Sequence, residues 1–161
     1  MIQPFLLLGD PLLYQVSQPV LPEESALLPQ LEADLHDTLM EYRRLHKAGR
    51  AIAAPQIGIQ KRVLYLHINE PLLVVNPTLT FPDAEIIRVW DDCMCFPNLL
   101  VHVERLKNCL LTFQDRDLQP RQLTLSGSLS ELIQHEFDHL EGILATMRAL
   151  DKRSFRLIKI K

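Results

Sequence analysis

The sequence predicts an α+β fold: antiparallel β-sheets packed around a central C-terminal helix that carries the H-E-x-x-H pattern, with an N-terminal amphipathic helix. Three observations predict it. Leu28, Leu31, Leu35, Leu39, Tyr42 and Leu45 recur at three- and four-residue steps, the stripe of an amphipathic helix. The middle of the chain is a series of short β-prone runs separated by turn signals, which indicates antiparallel pairing. Near the end, Ser128-Leu129-Ser130-Glu131 has the form of a capping box and opens a helix containing His135-Glu136-Phe137-Asp138-His139.

In chain order, Phe5 to Val20 is apolar but broken by Pro11 and Pro19, and reads as extended chain lying along the body of the domain. Pro22-Glu23-Glu24-Ser25 introduces the first helix, and Gly49 suits its end. His36 and His46 lie off the apolar stripe, at the surface. Arg62 to Ile68, Leu72 to Val75, Thr78 to Phe81 and Ile86 to Trp90 read as strands, with Asn76-Pro77 and Phe81-Pro82-Asp83 as turns. Leu99 to Val103 and Asn108 to Gln114 continue the pattern, and Asp115-Arg116-Asp117 turns into Gln122 to Leu125. His67 and His102 fall within strand patterns, where solvent-facing or sheet-packed roles are expected. Gly142 terminates the last helix; Phe155 to Lys161 is an edge strand or a helical turn.

A chain of 161 residues suits one domain, 1–161, with a core of its own. The net charge of -3 argues against a general nucleic-acid binder. The basic cluster Lys152, Arg153, Arg156, Lys159 and Lys161 reads as a solvated face, with an acidic partner or RNA as the alternative. The start has no secretory pattern, no run is long enough to span a membrane, and three cysteines argue against a disulfide framework, so a reduced, cytoplasmic setting is expected. Oligomeric state is not encoded in any of these features.

His135 and His139, one helical turn apart, can reach a single metal ion, and Glu136 is placed to handle protons beside it. A catalytic site of this type needs a third protein ligand. Cys93, Cys95, Asp138, Glu141 and the remaining histidines are the candidates. In an extended segment, Cys93 and Cys95 point to opposite faces, so one would ligate and the other pack; taken alone, both read as core cysteines. Ala51-Ile52-Ala53-Ala54-Pro55-Gln56-Ile57-Gly58, taken alone, reads as a packed turn.

Three segments, in order, resemble the motifs of the peptide deformylase family. Gly49-Arg50-Ala51-Ile52-Ala53-Ala54-Pro55-Gln56 resembles G-x-G-x-A-A-P-Q, Asp91-Asp92-Cys93-Met94-Cys95 resembles E-G-C-x-S, and Gln134-His135-Glu136-Phe137-Asp138-His139-Leu140 matches Q-H-E-x-D-H-L. The resemblance covers nearly the whole chain. It implies that Cys93, His135 and His139 hold one divalent metal, Fe²⁺ natively, with Zn²⁺, Ni²⁺ or Co²⁺ able to replace it. It implies Glu136 as the proton-transferring base, and the Gln56 side chain and the Met94 backbone N–H as oxyanion donors. Asp91 is expected to brace the ligand loop through Arg105. The implied substrate is an N-formylmethionyl peptide or nascent chain, and the basic tail is then a candidate ribosome contact.

The departures from the pattern are Asp91 for Glu, Asp92 for Gly, Cys95 for Ser, Ala51 for Gly, Arg50 for an apolar residue, Leu100 for an arginine, and Ala145 and Met147 for Phe and Asp. If position 92 requires a positive φ, Asp92 adopts it at a cost. Two alternatives follow. The altered rim around Arg50, Ala51 and Leu100 could shift the substrate to another formylated or acylated amine, or Asp92 and Cys95 could mark a paralogue that binds formylated chains without turnover.

Overall fold

The computed structural model describes residues 1–158, so Lys159 and Lys161 of the basic cluster lie outside the described residues. Helix α1, Leu28–His46, follows a 3-10 turn over Pro22–Leu27. Leu28, Leu31, Leu35 and Leu39 are buried, each contributing about 1.5–3 kcal/mol by leaving water. The predicted stripe ends early, since Leu45 is exposed. Lys47, not Gly49, takes the left-handed position that closes the helix. Gly49 is nonetheless constrained: φ is +113°, and a Cβ there would press on Leu39 and Tyr42 at 3.2 and 3.3 Å.

The larger sheet has the order β1-β2-β3-β6-β7, antiparallel throughout, with β1 Ala51–Ala53, β2 Val63–His67, β3 Pro71–Thr80, β6 Asn108–Gln114 and β7 Pro120–Ser126. Two expected strands around Asn76-Pro77 are one strand, β3, whose register shifts between Val75 and Thr78. The physical reason is a bulge. Asn76 tolerates φ of +50°, its side chain bonds the Val20 backbone in both directions, and Pro77 has no N–H to leave unpaired.

Both faces of this sheet are covered at β2, which explains why Val63 to Leu66 is buried without interruption. Alternation along the strand sorts the side chains. Val63, Tyr65, Leu73 and Val75 pack with Leu28, Leu31, Leu35 and Leu39 of α1. Leu64, Leu66, Val74, Leu111 and Phe113 pack with Leu132, Ile133 and Leu140 of helix α2, Ser128–Leu140. The smaller sheet has the order β4-β5-β8, with β4 Ile86–Asp92, β5 Leu99–Leu106 and β8 Phe155–Leu157. Its buried Val101 and Val103 cluster with Cys93, Cys95, Phe96, Leu144 and Leu13. The end of the described chain is thus the edge strand rather than a helical turn.

The N-terminal segment straps these parts together. Leu6 N–H donates to the Gln56 carbonyl at 2.9 Å, Leu8 N–H to the Cys95 carbonyl at 2.8 Å, and Ser17 N–H to the Leu140 carbonyl at 2.8 Å. Gly142, at φ of +69°, lies under this strap; a Cβ would stand 2.5 Å from the Tyr14 carbonyl oxygen.

Candidate active site

Helix α2 starts differently from its capping-box pattern. Gly127, at φ of +59°, occupies the cap position with no side-chain cap bond, and Glu131, the acidic half of the expected pattern, is engaged elsewhere. Ser130 Oγ donates to the Leu106 carbonyl at 2.9 Å, and Glu131 accepts from Arg50 at 2.6 Å. Gln134 fastens the helix to the end of β5. Its Nε2 donates to the Leu106 carbonyl at 2.7 Å, and its Oε1 accepts from Leu106 N–H at 3.0 Å. A helix held on both sides is a rigid base for reactive groups.

From this base, His135, Glu136 and His139 project into a closed space, all buried. Cys93 stands in the turn after β4. Its Sγ and one nitrogen of each histidine all lie within 4.8 Å of one another, and Sγ is 3.3 Å from His139 Nε2. One metal ion with ligand bonds of about 2.0–2.3 Å needs donor atoms about 3.6 Å apart, so the set fits. Two buried atoms on its margin, Glu136 Oε2 and His139 Nδ1, have no hydrogen-bond partner among the described residues. Soft sulfur with two imidazoles suits a divalent transition metal.

The electrostatics run in one direction. His135 Nδ1 meets the Asp91 carboxylate at 2.9 Å, which leaves its other nitrogen for the metal. Asp91 accepts from Arg105 at 2.9 Å; Arg105 also holds Asp138, which Arg148 grips with two bonds at 2.6 and 2.7 Å. Burial works against the Asp91 charge, but His135 and Arg105 outweigh it and hold the carboxyl at about 2. Burial likewise opposes a charge on His135, yet Asp91 raises it to about 9. Burial pushes the Glu136 carboxyl up to about 7 and the Cys93 thiol well above its ordinary range. Burial, with His135 beside it, keeps His139 neutral.

Gln56 is fully buried in the 3-10 turn Ala54–Ile57. Its Oε1 accepts from Ala53 N–H at 2.7 Å, which aims Nε2 at the sulfurs of Cys93 and Cys95, 3.6 and 3.5 Å away. The two sulfurs therefore do not point apart as an extended segment would make them, because Met94 and Cys95 form a turn. Met94 is buried in that turn. Asp92 is the last residue of β4 and has no positive φ, so the backbone cost anticipated for it does not arise.

The other candidate ligands, Cys95 and His67 apart, are engaged elsewhere. Asp138 faces Arg105 and Arg148, and Glu141 pairs with Arg62 at 2.6 Å. His36 bonds the Tyr65 hydroxyl at 2.7 Å, His46 stacks on Tyr42 and His102 on Trp90. A small cavity of about 60 Å³ opens beside the set, lined by Gln56, Cys93, His135 and Glu136 and, outward, by Tyr42, Arg50, Glu131 and Leu132. A larger one of about 380 Å³ lies behind α2 against Phe81, Phe137 and Arg148, and none of the three ligand candidates lines it. The reacting groups place the chemistry in the smaller cavity. Glu131, Gln134 and Arg148 went unread as site residues; for Glu131, its position one turn before His135 was the available signal.

An α+β fold with a sulfur and two helix-borne imidazoles around one cation site, and a carboxylate next to them, defines a metal-dependent hydrolase. The polypeptide deformylase family model matches residues 2–154. The chain belongs to the peptide deformylase family. A peptide deformylase of Prochlorococcus marinus is 31% identical over 157 residues, covering 92% of this chain and 78% of the relative. The crystal structure of a peptide deformylase from Synechococcus elongatus in complex with actinonin superposes with a TM-score of 0.85 at 27% identity, covering 93% of this chain and 80% of that one. A class I type b peptide deformylase from Acinetobacter baumannii with Met-Ala-Ser bound gives a TM-score of 0.84 at 27% identity, over 92% and 98% of the two chains.

Proposed function

We propose that the protein, acting as one catalytic domain over residues 1–161, removes the N-formyl group from N-formylmethionyl peptides of newly made proteins. The observation that carries this reading is the joint placement of the Cys93, His135 and His139 ligand atoms within 4.8 Å and, beside them, the unpartnered carboxylate oxygen of Glu136. Cys93, His135 and His139 hold the metal, Fe²⁺ natively, with Zn²⁺, Ni²⁺ and Co²⁺ as substitutes of the same donor preference. When bound, a divalent ion on one thiolate and two neutral imidazoles keeps a net charge of about +1, which acidifies a water and polarises the formyl oxygen.

The chain's own groups do the rest. Glu136 takes the proton of the attacking water and returns it to the leaving amine; in the metal-free site burial raises its carboxyl, favouring proton uptake. Gln56 Nε2 and the Met94 backbone N–H meet the oxygen that gains negative charge. Asp91 and Arg105 keep the His135 ring in register. The peptide seen on the Acinetobacter baumannii relative supports a peptide as substrate. A cytoplasmic location and a ribosome contact through the exposed Lys152, Arg153 and Arg156 belong to the same proposal. The test is release of formate from a formylmethionyl peptide by Fe²⁺- or Ni²⁺-loaded wild type and Glu136→Ala. Absence of turnover by fully metal-loaded wild type would overturn the reading.

A further inference from the structure

Two cysteine sulfurs meet beside Gln56, and the proposed chemistry uses only one of them. Cys93 Sγ belongs to the ligand set, whereas Cys95 stands outside it among the described residues. The turn at Met94 and Cys95 folds the chain back, so that the Cys95 amide nitrogen lies 3.5 Å from Cys93 Sγ. One nitrogen, Gln56 Nε2, reaches both sulfurs, at 3.6 and 3.5 Å, which places them on the same side of the turn. Residues two apart in a turn bring their Cα atoms within the ~4.4–6.8 Å that a disulfide spans. Both thiols are free, and the third cysteine, Cys109, packs in a separate cluster against α2. Access to the two sulfurs is unequal. Cys93 lines the cavity of about 60 Å³, which has room for a few waters; Cys95 does not line it and is 1% exposed.

We infer that Cys93 and Cys95 form a reversible oxidation site, in which hydrogen peroxide oxidises Cys93 and Cys95 resolves the product as a disulfide. The inference goes beyond the deformylase reading and shares with it only the ligand role of Cys93. A cysteine that ligates carries a thiolate, the nucleophilic form of sulfur. The Cys93 sulfur attacks one peroxide oxygen and the O–O bond breaks. One hydroxyl stays on sulfur as a sulfenic acid, and the other leaves as hydroxide and is protonated to water. The Cys95 sulfur then attacks the Cys93 sulfur. The S–O bond breaks, and that oxygen leaves as a second water with the Cys95 proton. The two sulfurs give up two electrons and the peroxide accepts them. The disulfide withdraws Cys93 from the ligand set and leaves His135 and His139 alone, so the ion is lost. A dithiol reductant reverses the exchange and restores the site. With serine at position 95, as in the family pattern, the sulfenic acid finds no sulfur beside it. It then goes on to the sulfinic and sulfonic acids, which a dithiol does not reduce.

The experiment treats the zinc-loaded full chain with hydrogen peroxide, because zinc takes no part in redox chemistry. Zinc release, intact mass and alkylation mapping of the three cysteines are read before and after a dithiol. Wild type is expected to release its zinc and lose the mass of two hydrogens. Cys93 and Cys95 should become closed to alkylation while Cys109 stays open, and the dithiol should restore both thiols and zinc binding. Cys109→Ser should behave as wild type. Cys95→Ser should release zinc with two or three oxygens added to Cys93, and should not recover. The wild-type mass and mapping need no variant, so the test survives a Cys95→Ser chain that fails to fold. Oxygen added to Cys93 of wild type without a Cys93–Cys95 disulfide overturns the inference. So does a disulfide through Cys109, or full recovery of folded Cys95→Ser. None of these readouts needs turnover, so each of those results leaves the deformylase reading in place, and absence of formate release from the reduced, loaded protein overturns that reading alone.

Discussion

Replacing Arg105 by methionine removes the cation at the centre of the network behind His135. The Arg105, Asp91 and Asp138 side chains are 3%, 5% and 7% exposed. Removing one partner of a buried charged pair costs about 3–5 kcal/mol, because the remaining charge stays buried and unpaired. Here two carboxylates lose a partner, but Asp91 keeps His135 and Asp138 keeps Arg148. The loss therefore belongs in the lower part of that range, about 3–4 kcal/mol, which lowers Tm by about 6–16 °C in a chain of this size. Urea or thermal unfolding of the metal-loaded protein measures it. A second readout is metal affinity, expected to fall about 10- to 100-fold as the His135 ring loses its orientation. The control is Arg148→Met, which removes a partly exposed arginine that does not touch Asp91; it should cost about 1 kcal/mol or less and leave metal affinity unchanged. Destabilisation below about 1 kcal/mol in Arg105→Met, with unaltered metal affinity, would show that the network does not hold the site as argued.

Other substitutions probe separate parts of the structure. Glu136→Gln keeps the metal and lowers kcat by about 10²–10⁴-fold, read from formate release against metal content. Gln56→Glu keeps the acceptor for Ala53 N–H but loses the donor and buries a carboxyl, so kcat should drop about 10²–10³-fold and the melting temperature should fall as well; unchanged turnover in the folded variant would remove Gln56 from the oxyanion site. Gly142→Ala should destabilise by more than about 1 kcal/mol, because the new Cβ meets the Tyr14 carbonyl at positive φ. For the metal-free protein, the Asp91 carboxyl lies at about 2 against an ordinary 3.8, so its stabilisation is present above pH 4 and lost as pH falls from about 4 toward 2. That difference is worth about 2 kcal/mol, and urea midpoints that do not move over this range would contradict it.

Local periodicity was enough to find α1, since Leu28, Leu31, Leu35 and Leu39 bury as their spacing requires. It was enough for most strands, and for the helix bearing His135, Glu136 and His139. Positions decided by tertiary packing were not legible. Asn76-Pro77 has the composition of a turn and sits in a bulge, because Val20 offers its backbone to the Asn76 side chain. Ser128 has the composition of a cap, but Glu131, the other half of that pattern, is drawn 81 positions away in sequence to Arg50. Whether Cys93 and Cys95 face apart depended on a turn after β4 that their spacing does not encode. The Asp91–Arg105 pair was expected from family resemblance alone, and its extension to Asp138 and Arg148 needed the fold.

The uneven cover of the larger sheet has a dynamic consequence. The side chains of β1 are buried, as are most of those of β2 and α2, whereas those of β7 are almost all exposed. Amide protons of β7 should therefore exchange first, through local opening that costs far less than global unfolding, and those around Ala53 and Ile133 last. The reacting groups of α2 sit in the most buried part of the molecule, so fraying at the outer edge should leave the distances on which turnover depends undisturbed.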